Sequence, residues 1–121
     1  MFAIDLKSGT PIYEQIIEQT KEYVFLGVLK PNDKMPSVRS LSLKLSVNPN
    51  TIARAYSELC DKGVLYSAMG KGFFVTDDLN RITHDASVEG LNEFDEIVKG
   101  LKTVGIEKEK LIKRIEKLFN E

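Results

Sequence analysis

Cysteine, histidine and tryptophan are nearly absent from this 121-residue sequence, which holds one cysteine, one histidine and no tryptophan. A single cysteine cannot close an intramolecular disulfide or supply a cysteine-rich zinc site. The lone His84 has no His or Cys near it in the chain, so a metal site is not expected. Paired carboxylates and a nucleophile-base set are missing too, which argues against an enzyme and against any cofactor. No stretch approaches the roughly 20 apolar residues of a membrane span. The opening MFAIDLKSGTP carries an acid and a turn where a secretory signal needs a continuous apolar core. These absences together describe a soluble, cytoplasmic chain with no membrane partner. An excess of either charge is also lacking: 17 Lys and Arg face 18 Asp and Glu, a net charge of −1. Taken alone, that neutrality counts against a nucleic-acid binder.

What is present is ordinary globular material, 42% hydrophobic and 29% charged, in a length that suits one domain with a small appendage. Phe2 to Asp5 reads as an extended edge segment before the turn residues Ser8, Gly9 and Thr10. Thr10 is a candidate N-cap with Pro11 at the first helical position, and Ile12, Ile16, Ile17, Thr20, Val24 and Leu26 predict an amphipathic helix over 11–27. Leu29 to Asp33 form a turn. Ser37 caps a short second helix carrying Val38, Leu41 and Leu45, and Ser46 to Pro49 interrupt it. A third helix from about Pro49 to Lys62 turns Ile52, Ala55, Tyr56, Leu59 and Cys60 inward and stops at Gly63. That succession is the outline of a helix-turn-helix.

After Gly63 the apolar period shifts to two. Val64 to Tyr66 and Gly72 to Thr76 predict a β-hairpin, with Ala68, Met69, Gly70 and Lys71 between them: a wing. Alternation sends Phe73 and Phe74 to opposite faces without saying which faces the core. Residues 77–87 are polar and weakly patterned and read as a linker. Over 88–121, Leu91, Phe94, Val98 and Leu101 make a heptad-like stripe; Gly105 breaks it, and a second helix near 107–119 carries Leu111, Ile112, Ile115, Leu118 and Phe119. Two such helices of about four turns cannot bury their faces against one another completely, so a partner is implied, most simply a second copy. The expected fold is mainly α with a small β-hairpin. It consists of a winged helix-turn-helix over 1–76 and a two-helix dimerisation appendage.

Charge is not spread evenly. Residues 34–57 carry Lys34, Arg39, Lys44 and Arg54 and no acid; residues 30–72 hold seven bases and three acids, whereas 79–121 hold eight bases and nine acids. The neutral average conceals a basic segment where phosphate neutralisation would be needed.

PIYEQI at 11–16, GVLKPNDKMPSVRSLS at 27–42, VNPNTIARAY at 47–56 and GKGFFV at 70–75 together resemble the GntR family of bacterial transcription regulators. The VNPNT form and the short tail resemble its YtrA branch. The resemblance covers residues 1–76, about three-fifths of the chain. It implies a winged helix-turn-helix that binds operator DNA as a dimer, with the third helix in the major groove and the wing on the backbone or minor groove. The start of that helix presents Asn48, Asn50, Thr51 and Arg54; Asn can bond bidentately to adenine, and Arg to guanine or phosphate. Arg39 matches the arginine of the family's PSxR motif. Gly70, Lys71 and Gly72 let a charged wing tip approach DNA closely. Pro49 stands where the wider family commonly has a base-reading arginine, so operator sequence does not carry over from other branches. Large ligand-sensing domains have no room in the 45 residues after Thr76.

Each of these residues also has a plainer reading. For Arg39 it is a surface salt bridge anchoring the second helix, of little energetic consequence, and for Arg54 a solvated place on the exposed face of the third. Asn48 and Asn50 are good turn and cap residues, which ranks Asn50 and Thr51 ahead of Asn48 as DNA contacts. Gly70 to Gly72 lacks the longer pattern and following helix of a phosphate loop, and Cys60 on an inner face is a small apolar residue before it is a redox site. The expected function is that of a sequence-specific regulator, a repressor, working as a homodimer on an inverted-repeat operator. Dimerisation is assigned to Leu91, Phe94, Val98, Leu101, Leu111, Ile115 and Leu118. The YtrA resemblance further implies control of genes for an ABC transporter or envelope functions; a small-molecule effector is left unidentified. The alternative is a winged-helix module that binds a protein partner without specific DNA binding.

Overall fold

The computed structural model describes residues 2–121, and the chain divides into two compact units, one reaching Thr83 and the other running from His84 to Glu121.

The first unit contains α1 (Ile12–Phe25), α2 (Val38–Leu45), α3 (Pro49–Asp61), β1 (Leu65–Ala68), β2 (Gly72–Val75) and the beginning of α4 (Leu79–Thr103). Its core forms where the apolar stripes of α1 and α3 meet: Ile16, Ile17 and Val24 pack with Ile52, Ala55, Tyr56 and Leu59, joined by Leu41 from α2 and by Leu65 and Val75 from the hairpin. Each of the Ile, Leu and Val side chains among them contributes about 1.5–3 kcal/mol by leaving water. Gly63, at φ 76°, ends α3; its N–H donates to the Cys60 carbonyl while that of Val64 donates to Leu59, the paired closure that needs a left-handed residue.

The amino-terminal segment is not a sheet strand. Its backbone pairs instead with two glutamine amides one turn apart on α1. Gln19 Oε1 accepts from the Ala3 N–H at 2.9 Å and its Nε2 donates to the Ala3 carbonyl at 2.6 Å; Gln15 does the same for Asp5 at 2.8 and 2.9 Å. Gln15 also donates to the Thr10 carbonyl at 2.9 Å, so Thr10 serves as an acceptor and not as the cap. Pro11 occupies the cap position without a side-chain bond, and α1 is shorter at both ends than the apolar period suggests.

In the hairpin, Leu65 pairs with Val75 and Ala68 with Gly72, leaving Met69, Gly70 and Lys71 as the turn. Phe73 takes the core side, edge-on to Tyr56 at 5.0 Å, and Phe74 stacks on Tyr66 at 5.5 Å on the outer face. Residues 32–35, which begin inside the expected turn, run antiparallel along the free edge of β2 and bridge Lys34 to Phe74.

The expected linker at 77–87 is helical from Leu79 onward. Asp78 Oδ1 accepts from the Arg81 N–H at 3.2 Å, capping α4, and Arg81 reaches back to the Gly63 carbonyl at 3.3 Å. Ile82 is buried and Leu79 half-buried against the first unit's core, so the first unit extends past Thr76 to Thr83. An N-cap and two apolar residues three apart suffice to start this helix, with no longer stripe to announce it.

α4 has 25 residues, about seven turns, and ends at Thr103 before Gly105, whose φ is 88°. α5 (Lys108–Phe119) follows. Within the second unit Leu91, Phe94, Ile115, Leu118 and Phe119 line an open apolar groove. Val98, Leu101 and Leu111 are half-buried, and α5 buries none of its residues. No helix among the described residues is long and apolar enough to cross a membrane.

Candidate nucleic-acid interface

The turn between α2 and α3 sets how α3 is presented. Ser46 adopts a left-handed conformation at φ 55°, and the buried Ser42 closes the turn from both directions: its hydroxyl donates to the Val47 carbonyl at 2.6 Å, and its carbonyl accepts from the Val47 N–H at 3.1 Å. α3 is then held from behind by Tyr56. That fully buried phenol donates to the Pro36 carbonyl at 2.7 Å and meets Phe73 edge-on, tying α3 to the entry of α2 and to β2. Burial pushes the Tyr56 phenol well above its ordinary value.

On this scaffold the candidate residues fall into distinct environments. Arg39 is exposed on the first turn of α2, whose cap is Ser37 accepting from the Ser40 N–H at 3.0 Å. Asn48 caps α3, its Oδ1 accepting from the Asn50 N–H at 2.8 Å, so one of its readout groups is already used. Asn50 is exposed on the first turn with its side chain uncommitted; Thr51 beside it is half-buried. Pro49 occupies the first turn of the helix, where a missing N–H is not felt.

Arg54 is engaged within the fold. Its guanidinium lies 3.6 Å from the Tyr13 ring centre and its Nε 3.6 Å from Glu58 Oε1. The contact with Tyr13 comes from α1 and is not visible in the pattern of α3 alone. Arg54 nevertheless stays exposed, and the open face of α3 also takes in Ala53 and Ser57, both exposed, which sequence reasoning did not single out. On the wing, Gly70 and Gly72 have φ of 72° and 111°, and the Lys71 N–H closes the turn on the Ala68 carbonyl at 2.9 Å, leaving the Lys71 side chain exposed. Among the described residues Lys34, Arg39, Lys44 and Lys71 form no ion pair, so most of the basic segment stays unneutralised by its own protein.

Burial, and secondarily Asp61, push the Cys60 thiol upward, away from the reactive thiolate. Among the described residues no three His, Cys, Asp or Glu side chains come together as a metal site.

A helix-turn-helix with an exposed second helix, a β-hairpin wing and uncompensated bases on both defines the winged-helix class of bacterial regulators. The chain belongs to the GntR family: the family model for bacterial regulatory proteins of the gntR family matches residues 12–75. It is 38% identical over 112 residues to the HTH-type transcriptional repressor YtrA of Bacillus subtilis, covering 92% of this chain and 86% of that one. A GntR family transcriptional regulator from Listeria monocytogenes superposes with a TM-score of 0.77 at 34% identity, covering 93% of this chain and 98% of that one. The DNA-binding domain of AraR, solved in complex with operator ORX1, matches with a TM-score of 0.55 at 30% identity, covering 61% of this chain and 92% of that one. The family and these relatives are regulators, not enzymes.

Proposed function

We propose that this chain is a cytoplasmic, sequence-specific DNA-binding repressor that acts as a homodimer on an inverted-repeat operator. The observation that carries the reading is the first turn of α3: Asn50 is exposed there, on a helix fixed from behind by Tyr56, with Arg39 and Lys71 exposed on neighbouring elements, and among the described residues none of the three side chains has a partner. Asn50 is suited to the N6 and N7 edge of adenine, and the α3 N-terminal N–H groups and the lysines to phosphate. Arg39, Asn48, Thr51, Gly70 and Gly72 complete the surface. Arg54 acts in it chiefly by holding α3 against Tyr13.

Dimerisation through the second unit is supported by α5, which in the single chain leaves Ile115 and Leu118 exposed and Leu111 only half-buried along one side of it, and by the groove that Leu91 and Phe94 share with it. A two-fold pair places two recognition helices on major-groove faces about 34 Å apart, or a multiple, which calls for a palindromic site. The target we propose, on the resemblance of the VNPNT form and short tail to the YtrA branch, is an ABC transporter operon. Fluorescence anisotropy with a duplex selected from random sequence, repeated over a salt series, tests this: binding should weaken steeply as salt rises. No binding at low salt, or binding indifferent to salt, removes the DNA reading and leaves a protein-interaction module.

A further inference from the structure

The wing has a third strand, and that strand carries a lysine aimed along the outer face of the hairpin. The Asn32 N–H donates to the Val75 carbonyl, the Val75 N–H to the Asp33 carbonyl and the Met35 N–H to the Phe73 carbonyl, each at 2.8 Å, so residues 32–35 are locked to β2. Met35 is buried, and alternation therefore turns Lys34 outward. Lys34 lies directly opposite Phe74, on the face where Phe74 stacks on Tyr66 and Tyr66 donates to Asn32 Oδ1 at 2.8 Å. Gly72, two residues before Phe74, is on that same face. The Lys34 stem runs across it: Lys34 Cε lies 3.4 Å from where a Cβ on Gly72 would stand. The stem thus points toward the wing turn and Lys71. The adjacent carboxylate of Asp33 does not answer it, since its Oδ2 accepts from the Lys30 N–H at 2.9 Å, and Lys34 forms no ion pair among the described residues.

We propose that Lys34 is a phosphate contact of the wing, acting with Lys71 on one stretch of DNA backbone. The inference rests on the DNA-binding function proposed above. It assigns to the wing a residue that its position in sequence, ahead of α2, separates from the hairpin.

Each phosphate neutralised adds about 0.9 to the slope of log affinity against log salt. Anisotropy titrations of the full chain on the selected duplex should show that slope fall by about 0.9 in Lys34→Gln and by about 1.8 in the Lys34→Gln, Lys71→Gln double variant, with Lys34→Arg keeping the wild-type slope. The ratio of affinities for selected and scrambled duplexes, and the thermal midpoint, should stay as in wild type. An unchanged slope in Lys34→Gln overturns the assignment. A changed base preference overturns it in favour of base readout, and a lowered thermal midpoint in favour of a structural role. Wild-type protein that fails to bind any duplex in a salt-dependent way overturns the DNA function itself, a result separate from these.

Discussion

Asn48 and Asn50 stand two residues apart and differ in what their side chains are free to do. Asn48 is spent on the Asn50 N–H, whereas Asn50 bonds to nothing with its side chain among the described residues. Asn48→Ala should therefore cost about 1 kcal/mol of stability, read from urea unfolding. Asn50→Ala should leave unfolding unchanged yet lose about 1–3 kcal/mol of discrimination at one base pair, read by anisotropy on a set of single-site operator variants. Identical behaviour of the two variants would contradict the division. The cap competition at Asn48 was legible because it is local: Asn followed by Pro is a helix start whatever lies around it. Arg54 was not, because its partner Tyr13 lies 41 positions earlier on another helix, and only the fold brings ring and guanidinium together. Tyr56 gives a pH test. Its folded-state value is raised above an ordinary phenol near 10 by burial, so its contribution is complete below that pH and is lost as pH rises beyond it. Urea midpoints should decline above about pH 10 in wild type. The decline should be shallower in Tyr56→Phe, whose midpoint is lower throughout because the Pro36 carbonyl loses its donor. Parallel decline in both proteins would remove the assignment.

At the scale of elements, the pieces read correctly from the sequence are those whose punctuation is local and strong. Ser37 caps α2, Asn48 and Pro49 start α3, Gly63 ends it, and α1 and α3 carry apolar stripes wide enough to register as helices. The third wing strand escaped because its pairing is non-local. Residues 32–35 hold one buried apolar side chain, Met35, and their hydrogen bonds go to residues 73 and 75. The start of α4 escaped for the opposite reason. Its cap, Asp78, is ordinary, but its docking surface is only Leu79 and Ile82, separated by exposed, mostly polar residues from the stripe that begins at Leu91, so no period runs through the helix start. The amino-terminal segment was read as an extended edge from its apolar residues, but its partner is not a strand: glutamine amides one turn apart on α1 pair with alternate residues of its backbone much as a strand would.

For the whole molecule, the position of Ile82 separates two properties that a cut at the end of the wing would confuse. A chain ending at Thr83 retains Leu79, Ile82 and the Arg81 bond to Gly63, and so keeps the reading unit whole while lacking α5 and most of α4. A chain ending at Thr76 loses all three and exposes the core beneath Ile82, a loss of about 1.5–3 kcal/mol from that side chain alone. Sedimentation should show both truncated chains as monomers, with the shorter one melting at lower temperature. The monomer ending at Thr83 should bind a single half-site as the full chain binds it, yet bind the complete operator roughly 10²–10⁴-fold more weakly than the full chain, because the second half-site is no longer at high effective concentration. A dimer that persists after Thr83 would transfer the assembly role from the second unit to the first. Undiminished operator affinity in a monomeric chain would mean instead that the base contacts of one α3 suffice. The small net charge of −1 favours two half-sites held by one dimer over a single sufficient α3, since a chain without a large overall positive field has only modest non-specific affinity and must gain selectivity by engaging two half-sites at once.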